Sequence, residues 1–170
     1  FAMECHNEEI IIPGISGIVS QRECPEAIPE AAEWFHGKWG IPVGAYLESM
    51  RLSCAADGGV PEWYVIFDAQ RRIIAGLGVI GNDFHKRPDL TPNLCALYVE
   101  APYRKRGLAR ALLEHACMSL RKHGIGNAYL ITSHTEFYER CGWDFYGMVE
   151  ENDGGMIRMY HRSCGGAEPK

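Results

Sequence analysis

The stretch LYVEAPYRKRGLARALLEHA, residues 97–116, joins an apolar strand to a long amphipathic helix. The strand spans residues 93–100, and its near-continuous apolar character is typical of a strand that is buried on both faces. The helix spans residues 107–123, because Leu, Ala and Cys recur there at helical spacing while Arg, Glu and Lys occupy the opposite face. We interpret the rest of the chain outward from this strand–turn–helix unit.

The turn inside this unit places three cations beside a helix start, in the order Arg104, Lys105, Arg106 and Gly107. About four N–H groups at a helix start lack intrahelical partners, and the aligned peptide dipoles add roughly half a positive charge. Gly107 has no Cβ, so a ligand can approach the backbone closely. The turn therefore predicts a site for a pyrophosphate or another polyanion. The alternative is a solvated charged turn.

The flanking sequence has the order of elements that is typical of a mixed α+β fold. Apolar periodicity predicts three more helices, over residues 31–39, 43–54 and 135–141, the last with Thr135 as its N-cap. Runs of β-branched and aromatic residues predict strands over residues 15–23, 63–68, 72–81 and 127–132, and a closing hairpin over 144–150 and 155–161. Residues 82–92 are predicted to form a loop. Since no linker or repeat interrupts the pattern, we expect one domain over residues 1–170.

Two segments resemble motifs of one family. Arg-x-x-Gly-x-Ala at 104–109 resembles [RQ]-x-x-G-x-[GA], the acetyl-coenzyme A signature of the GNAT superfamily, and FYERCGW at 137–143 resembles its F-Y-x-x-x-G-[FW] element. The resemblance covers roughly residues 63–149. It implies the GNAT fold, a twisted, mostly antiparallel sheet of six or seven strands flanked by about four helices. It also implies an N-acetyltransferase that uses acetyl-CoA and no metal.

The resemblance carries over to particular residues. It implies that backbone amides of the turn hold the pyrophosphate, at Arg104, Lys105, Arg106, Gly107, Leu108 and Ala109. It implies that the strand, beside a bulge, pairs with the pantetheine arm through Leu97, Tyr98 and Val99. Tyr138 matches the tyrosine that protonates the departing thiolate in many members. The alternative role for Tyr138 is that of a core aromatic beside Phe137 and Trp143.

The general base is left open by the sequence. Many members carry a glutamate early in the cofactor strand, whereas this chain has Thr91, Pro92 and Asn93. The remaining candidates are Asp83, His85, Glu100 and His134. Either histidine has an ordinary pKa suited to proton transfer, but each is also a candidate for a hydrogen-bonded loop residue. A water relay to a more distant group is a further alternative.

The acceptor site is expected between the first two helices and the 82–92 loop. Its candidate lining residues are aromatic, namely Trp34, Phe35, Trp39, Tyr46 and Phe84. Glu33 or Glu48 is a candidate for attracting a cation. The alternative is that these aromatic residues pack the helices against the sheet.

Composition limits the kinds of molecule that the protein is expected to bind. A formal net charge of -5 argues against a protein that wraps nucleic acid and is compatible with a cationic substrate. The seven scattered cysteines are typical of free thiols in a reducing compartment. The chain shows no signal peptide and no apolar run of transmembrane length, so we expect a cytoplasmic protein that does not contact membranes. We expect Met3 to be the natural start. Oligomeric state is left open, with a homodimer as one option.

Two other motifs are set aside. GLGVIG, residues 76–81, has the spacing of a dinucleotide fingerprint, but a proline-broken loop rather than a helix follows it. We therefore predict that its glycines admit a close neighbour to a strand. His161 and Cys164 lack a second pair at zinc spacing, and we expect a frayed, solvated C-terminus there.

The sequence favours acetyl transfer to a primary amine of a small molecule in a ternary complex. Two alternatives remain open at this stage. One is a domain that senses acyl-CoA or docks a partner without catalysis, which the missing early-strand glutamate favours. The other is transfer to an amine of a protein or peptide.

Overall fold

Seven strands form one sheet in a computed structural model that describes residues 13–56 and 58–165. The strands are β1 (Val19–Ser20), β2 (Glu62–Phe67), β3 (Ile73–Ile80), β4 (Asn93–Val99), β5 (Asn127–Thr132), β6 (Asp144–Glu150) and β7 (Met156–Ser163). The helices are α1 (Ile28–Trp39), α2 (Val43–Ala55), α3 (Leu108–Lys122) and α4 (Phe137–Arg140). The predicted mixed α+β fold is confirmed. The proposed start at Met3 lies outside the described residues.

The sheet has the order β1-β2-β3-β4-β5-β7-β6 and is antiparallel except between β4 and β5. The parallel pair is joined through α3, because two parallel strands need a crossover connection. The strand–turn–helix unit therefore lies at the centre of the sheet.

The helices cover the two faces of the sheet. On one face, α3 buries the stripe predicted from its periodicity, which consists of Leu108, Leu112, Leu113, Ala116, Cys117 and Leu120. On the other face, α1 and α2 pack Phe35, Tyr46 and Met50 against β2 and β3. Because helices cover both faces, β2 and β3 are buried on both faces, β3 up to Val79. This burial accounts for the uninterrupted apolar sequence of the two strands.

The glycines of GLGVIG admit close neighbours, as predicted. A Cβ built on Gly76 would lie 2.6 Å from Cζ of Phe35, and one on Gly78 would lie 2.4 Å from Cζ3 of Trp63. Both glycines therefore allow aromatic side chains from α1 and from β2 to lie directly on the strand backbone.

Three local predictions were wrong. Thr135 does not cap the short helix, which begins two residues later at Phe137 and has Glu136 at its N-cap position without a side-chain hydrogen bond. The C-terminal segment is not frayed, because it completes β7 and Arg162 forms an ion pair with Glu114 of α3. The strand over 93–100 is fully buried only at Asn93, Leu94 and Cys95.

Six of the seven cysteines lie in the described residues, and each is a free thiol. Cys5 lies outside them. Within residues 13–56 and 58–165, no helix combines the length and the apolar character that crossing a membrane requires.

Candidate active site

The sheet opens between β4 and β5. Asn93 of β4 pairs with Tyr129 of β5, and the Tyr129 amide donates to the Pro92 carbonyl at 3.0 Å. Beyond this point β5 pairs with β7 and β4 pairs with β3, and the described residues show no further register pair between β4 and β5. The C-terminal half of β4 therefore has one edge outside the ladder, and a free strand edge can hydrogen-bond an extended ligand.

A β-bulge lies in β4 at the start of this free edge. Ala96 and Leu97 together oppose Leu77 of β3, and Ala96 has a φ of 56°. A bulge bends its strand and increases the local twist, which moves the later part of β4 away from β5. Past the bulge, Tyr98 pairs with Gly76 and Val99 with Ala75, so the outer edge of these residues stays open.

The turn before α3 presents backbone N–H groups. Gly107 is the N-cap residue in the left-handed region at φ 80°, and no side chain caps the helix. Lys105 also has a positive φ, 63°. The amide of Ala111 donates to the Gly107 carbonyl at 2.9 Å, whereas the amides from Leu108 to Arg110 precede the first possible intrahelical bond. These amides are available to an anion at the positive end of the helix dipole.

The three cations of this turn lie on the protein surface without a carboxylate partner among the residues described. Arg104 donates from Nε to the Val99 carbonyl at 2.8 Å, and its guanidinium lies 5.3 Å from the Tyr98 ring centre. Arg106 lies 5.9 Å from the Tyr103 ring centre. The local charge around the helix start is therefore positive although the net charge of the chain is negative.

A cavity of about 430 Å³ extends through the gap between β4 and β5. Leu113 of α3 lines it from one face of the sheet and Tyr46 of α2 from the other. Seven of the residues singled out from the sequence line this cavity: Trp39, Tyr46, Asp83, Phe84, Leu97, His134 and Tyr138. The cavity is bounded by the free edge of β4, so the turn before α3, the free edge and the cavity are contiguous.

Asp83 is the acidic group of the cavity. Its amide donates to Oδ1 of Asn93 at 3.1 Å, which anchors the start of the loop to β4. Burial, together with the negative charge of Glu151, raises the pKa of Asp83 to about 6. A carboxyl group with such a pKa is ionised at neutral pH but is a much better proton acceptor than an ordinary aspartate.

Tyr138 lies in the same cavity on α4. Its ring centre is 5.0 Å from that of Phe137 and 6.0 Å from that of Tyr160. Burial, with smaller contributions from Cys141 and Asp83, raises the pKa of Tyr138 to about 12. Tyr138 therefore keeps its proton at neutral pH, as a general acid must before it reacts.

Tyr46 is almost fully buried, with 3% of its surface exposed, and its hydroxyl has no hydrogen-bond partner in the described part of the chain. Burial and the nearby Cys95 and Asp83 raise the pKa of Tyr46, so the group stays neutral. Its ring stacks on Phe35 at 5.6 Å. Tyr46 therefore both packs α2 on the sheet and lines the cavity.

Other candidates from the sequence lie outside the cavity lining. His85 is 3% exposed, its Nε2 is 2.5 Å from Oδ1 of Asn93, and its Nδ1 accepts a hydrogen bond from the Arg87 amide at 3.1 Å. Glu100 accepts a hydrogen bond from Nε1 of Trp34 at 3.0 Å and forms an ion pair with Lys38. His85, Glu100 and Trp34 are thus held by structural hydrogen bonds or ion pairs and do not line the cavity. The same holds for Phe35, in the core, while Glu33 and Glu48 are exposed.

Sequence reasoning missed several lining residues, among them Ser49, Trp63, Cys95 and Ser133. Trp63 follows the turn at 58–61 as the second residue of β2, where the apolar run gave no sign of which face it occupies. Ser133 follows β5 directly, and residues beyond the carboxyl end of a parallel strand commonly face a ligand crevice. That rule was the available signal for Ser133.

Within the described residues, no group of three or more His, Cys, Asp and Glu side chains is arranged to hold a metal ion.

Several solved structures share this fold. An aminoglycoside 6'-N-acetyltransferase complexed with coenzyme A matches at 17% identity and a TM-score of 0.65, over 91% of this chain and 100% of that one. A Salmonella typhimurium protein with its cofactor acetyl-CoA matches at 12% identity and 0.64, over 91% and 99%. A variant of the Vibrio cholerae spermidine N-acetyltransferase matches at 14% identity and 0.59, over 89% and 94%. The splayed mixed sheet therefore defines the GNAT fold.

Residues 61–144 match the model of the acetyltransferase (GNAT) domain family. The chain therefore carries a GNAT acetyltransferase domain over these residues. The match includes the α3 turn and the FYERCGW segment up to Trp143, the two motifs on which the sequence resemblance rests. No curated protein matches the chain in sequence.

Proposed function

We propose that this protein transfers the acetyl group of acetyl-CoA to a primary amine of a small molecule by direct attack in a ternary complex. The observation that carries the proposal is the continuity of three features: the open amides at the start of α3, the unpaired edge of β4, and a cavity that contains Asp83 and Tyr138. The open amides suit a diphosphate, and the unpaired strand edge suits an amide-containing arm. The cavity suits one proton transfer from the amine and another to the departing sulfur.

The residues of the turn and of β4 fit the cofactor. The amides of Gly107, Leu108 and Ala109 would hold the pyrophosphate, with Arg104, Lys105 and Arg106 supplying positive charge. The backbone of Leu97, Tyr98 and Val99 would pair with the amides of the pantetheine arm, as a strand edge pairs with an added strand. Acetyl-CoA supplies an acetyl group activated as a thioester.

Asp83 is the proposed general base. The amine must lose a proton to become a nucleophile, and Asp83 can accept it at a carboxylate oxygen, directly or through one water. Of the four candidate bases named from the sequence, only Asp83 and His134 line the cavity. His134 is exposed, whereas the partly buried Asp83 has a raised pKa that improves its basicity. Asp83 therefore fits the role better.

Tyr138 is the proposed general acid. When the amine nitrogen bonds to the acetyl carbon and the carbon–sulfur bond breaks, the sulfur carries away the bonding electron pair as a thiolate. Tyr138 holds a proton at Oη that can neutralise this thiolate. Its raised pKa keeps it protonated beforehand, and the nearby charge of Asp83 contributes to that rise.

A sensor without catalysis is the second candidate, because a carboxylate is missing from the early part of β4. Asn93 occupies that place and is fully buried, donating from Nδ2 to the Leu90 carbonyl at 2.7 Å. Asn93 orients the Asp83 amide and so supports the loop that supplies the alternative carboxylate. The presence of Asp83 and Tyr138 in one cavity favours catalysis over sensing.

Thiol release from acetyl-CoA, measured against a panel of primary amines and a lysine-containing peptide, tests the proposal. We expect release that depends on a small amine and on enzyme concentration. Binding of acetyl-CoA without thiol release from any amine would support the sensor, and a preference for the peptide would support protein acetylation. The cytoplasmic location, the homodimer, and a single domain over residues 1–170 stay predictions from the sequence.

A further inference from the structure

We propose that the acceptor is a primary amine that carries one positive charge on an apolar body and has no carboxylate. This inference rests on the proposed acetyl transfer and assigns the substrate class of the same cavity. It follows from which charges line the cavity, which lie just outside it, and what forms the walls.

The cavity offers one carboxylate and no cation. Among the described residues that line it, Asp83 is the one acidic side chain, and neither lysine nor arginine is present. A substrate ammonium group can therefore pair with Asp83. A substrate carboxylate would lose its hydration without gaining a lysine or arginine partner, and burial of a charge without an opposite charge is strongly disfavoured. The lining thus selects against α-amino acids.

Three cations near the cavity are already engaged in ion pairs. Lys38 pairs with Glu100 at the start of the cavity wall, at the C-terminal end of α1. Lys86 pairs with Glu150 at 2.9 Å, and Arg87 pairs with Asp89 at 2.8 Å, both in or beside the loop that follows Asp83. A carboxylate on the substrate would have to break one of these ion pairs to bind Lys38, Lys86 or Arg87, and the unpaired cations of the α3 turn are those proposed to bind the pyrophosphate.

A single carboxylate also selects against polycations. Polyamines and aminoglycosides carry several ammonium groups, and each buried one needs an acidic or carbonyl partner. Glu151 affects Asp83 through its charge but does not line the cavity. Glu33 and Glu48, the other acidic candidates, are exposed and also lie outside the lining. The second and third charges of a polycation would therefore have no acidic partner inside the cavity.

The walls suit an apolar body. Trp39 and Phe84 line the cavity yet are 47% and 54% exposed, so a ligand can cover apolar surface that now faces solvent. Ile41 and Ile80 extend the apolar wall inward. Covering aromatic surface with an apolar group is favourable, and flat rings also stack well on aromatic side chains.

The test compares kcat/KM for four acceptors at saturating acetyl-CoA: 2-phenylethylamine, phenylalanine, phenylalaninamide and spermidine. We expect 2-phenylethylamine to exceed phenylalanine by about 100-fold or more, because an unpaired polar group in a substrate pocket produces discrimination of this size. Phenylalaninamide has the same bulk without the carboxylate, so it should recover most of the loss. Its amine and that of phenylalanine are more easily deprotonated, so intrinsic reactivity works against the expected order.

Two variants test whether the cavity wall causes the preference for an apolar amine. Trp39→Ala should raise KM for 2-phenylethylamine by about 10-fold and KM for ethylamine much less, because only the larger amine covers the ring. Phe145→Ala removes an aromatic residue of similar exposure, 45%, that lies outside the cavity lining, and should change neither value.

The failures are distinguishable. A preference for phenylalanine or spermidine would overturn this inference and leave acetyl transfer to small amines standing. Equal loss in Trp39→Ala for both 2-phenylethylamine and ethylamine would overturn the assignment of the wall. If wild-type protein binds acetyl-CoA but acetylates none of the amines, the proposed function fails, and this inference fails with it.

Discussion

Asn93 of β4 and Tyr129 of β5 form a parallel register pair, and beyond this pair the two strands separate. The separation leaves one edge of β4 without a strand partner and opens a cavity through the sheet. Because α3 starts just beyond the end of β4, the same divergence connects the proposed anion-binding turn to the proposed proton-transfer pair in the cavity. The predictions below test these parts separately.

Tyr138→Phe removes the proposed proton donor and keeps the ring. Since general acid catalysis contributes about 10²–10⁴-fold, we expect kcat to fall by about 10²-fold or more. The Kd for acetyl-CoA, measured by calorimetry, should change little because the hydroxyl contributes after binding. Tyr146→Phe, on exposed β6, is the matched control and should keep full activity. Unchanged turnover in Tyr138→Phe would remove its assigned role.

Asp83 should govern the acidic limb of the pH profile. The ionised form is the active base, so kcat/KM should fall as pH drops through about 6, the raised pKa of Asp83. In Asp83→Asn this limb should disappear and the rate at pH 7 should fall by about 10²-fold or more. A variant that keeps the limb at the same pH would assign the titration to another group.

Asp83→Asn should also stabilise the fold. The pKa of Asp83 is raised above its ordinary 3.8, so the folded state favours the protonated form, and stability declines as pH rises from about 4 through about 6. At pH 7 we expect the Asn variant to be more stable by about 1–2 kcal/mol, below the full value for two pKa units because the group is partly exposed. Thermal unfolding should show the difference shrinking toward zero near about pH 4. A difference independent of pH would contradict this account.

Gly76→Ala should destabilise the packing of α1 on β3. The new Cβ would meet Cζ of Phe35 at 2.6 Å and Cζ3 of Trp34 at 2.9 Å, and Phe35 is fully buried. Overpacking of this kind costs about 1–3 kcal/mol in the free energy of unfolding. Gly81→Ala is the matched control at the end of the same segment, with nothing within 4 Å of its Cβ. Denaturant unfolding measures the free energy of unfolding of both variants. Equal values for Gly76→Ala and Gly81→Ala would contradict the packing described.

Much of the fold follows from short-range patterns. The α3 stripe, the Gly40 end of α1 and the closing hairpin were predictable because helical periodicity, left-handed C-caps and turn residues act locally. The order of the residues after this hairpin was not, since it depends on Arg162 reaching Glu114 on a helix about 50 residues earlier in the sequence. Thr135 is not the cap because α4 begins at Phe137, which places Glu136 at the N-cap position.

The candidate site was also predictable from the sequence only in part. The motif at the α3 turn could be recognised because its residues are consecutive in the sequence. The cavity, in contrast, is assembled from α1, α2, the loop after β3, β4 and β5. Sequence spacing could not tell Asp83, which lines the cavity, from His85, two residues on, which Asn93 binds in the loop interior. Whether a loop side chain faces a cavity depends on long-range packing.

Binding of acetyl-CoA to Gly107→Glu, measured by calorimetry, tests the central claim most directly. The new carboxylate would lie where the diphosphate is expected, and we predict a rise in Kd on the order of 100-fold or more from the lost amide contacts and charge repulsion. Gly124→Glu is the matched control, because Gly124 is also left-handed, with φ 76°, but follows the other end of α3. It should bind as wild type does. If Gly107→Glu folds and binds acetyl-CoA with wild-type affinity, the α3 turn is not the cofactor site and the account is wrong.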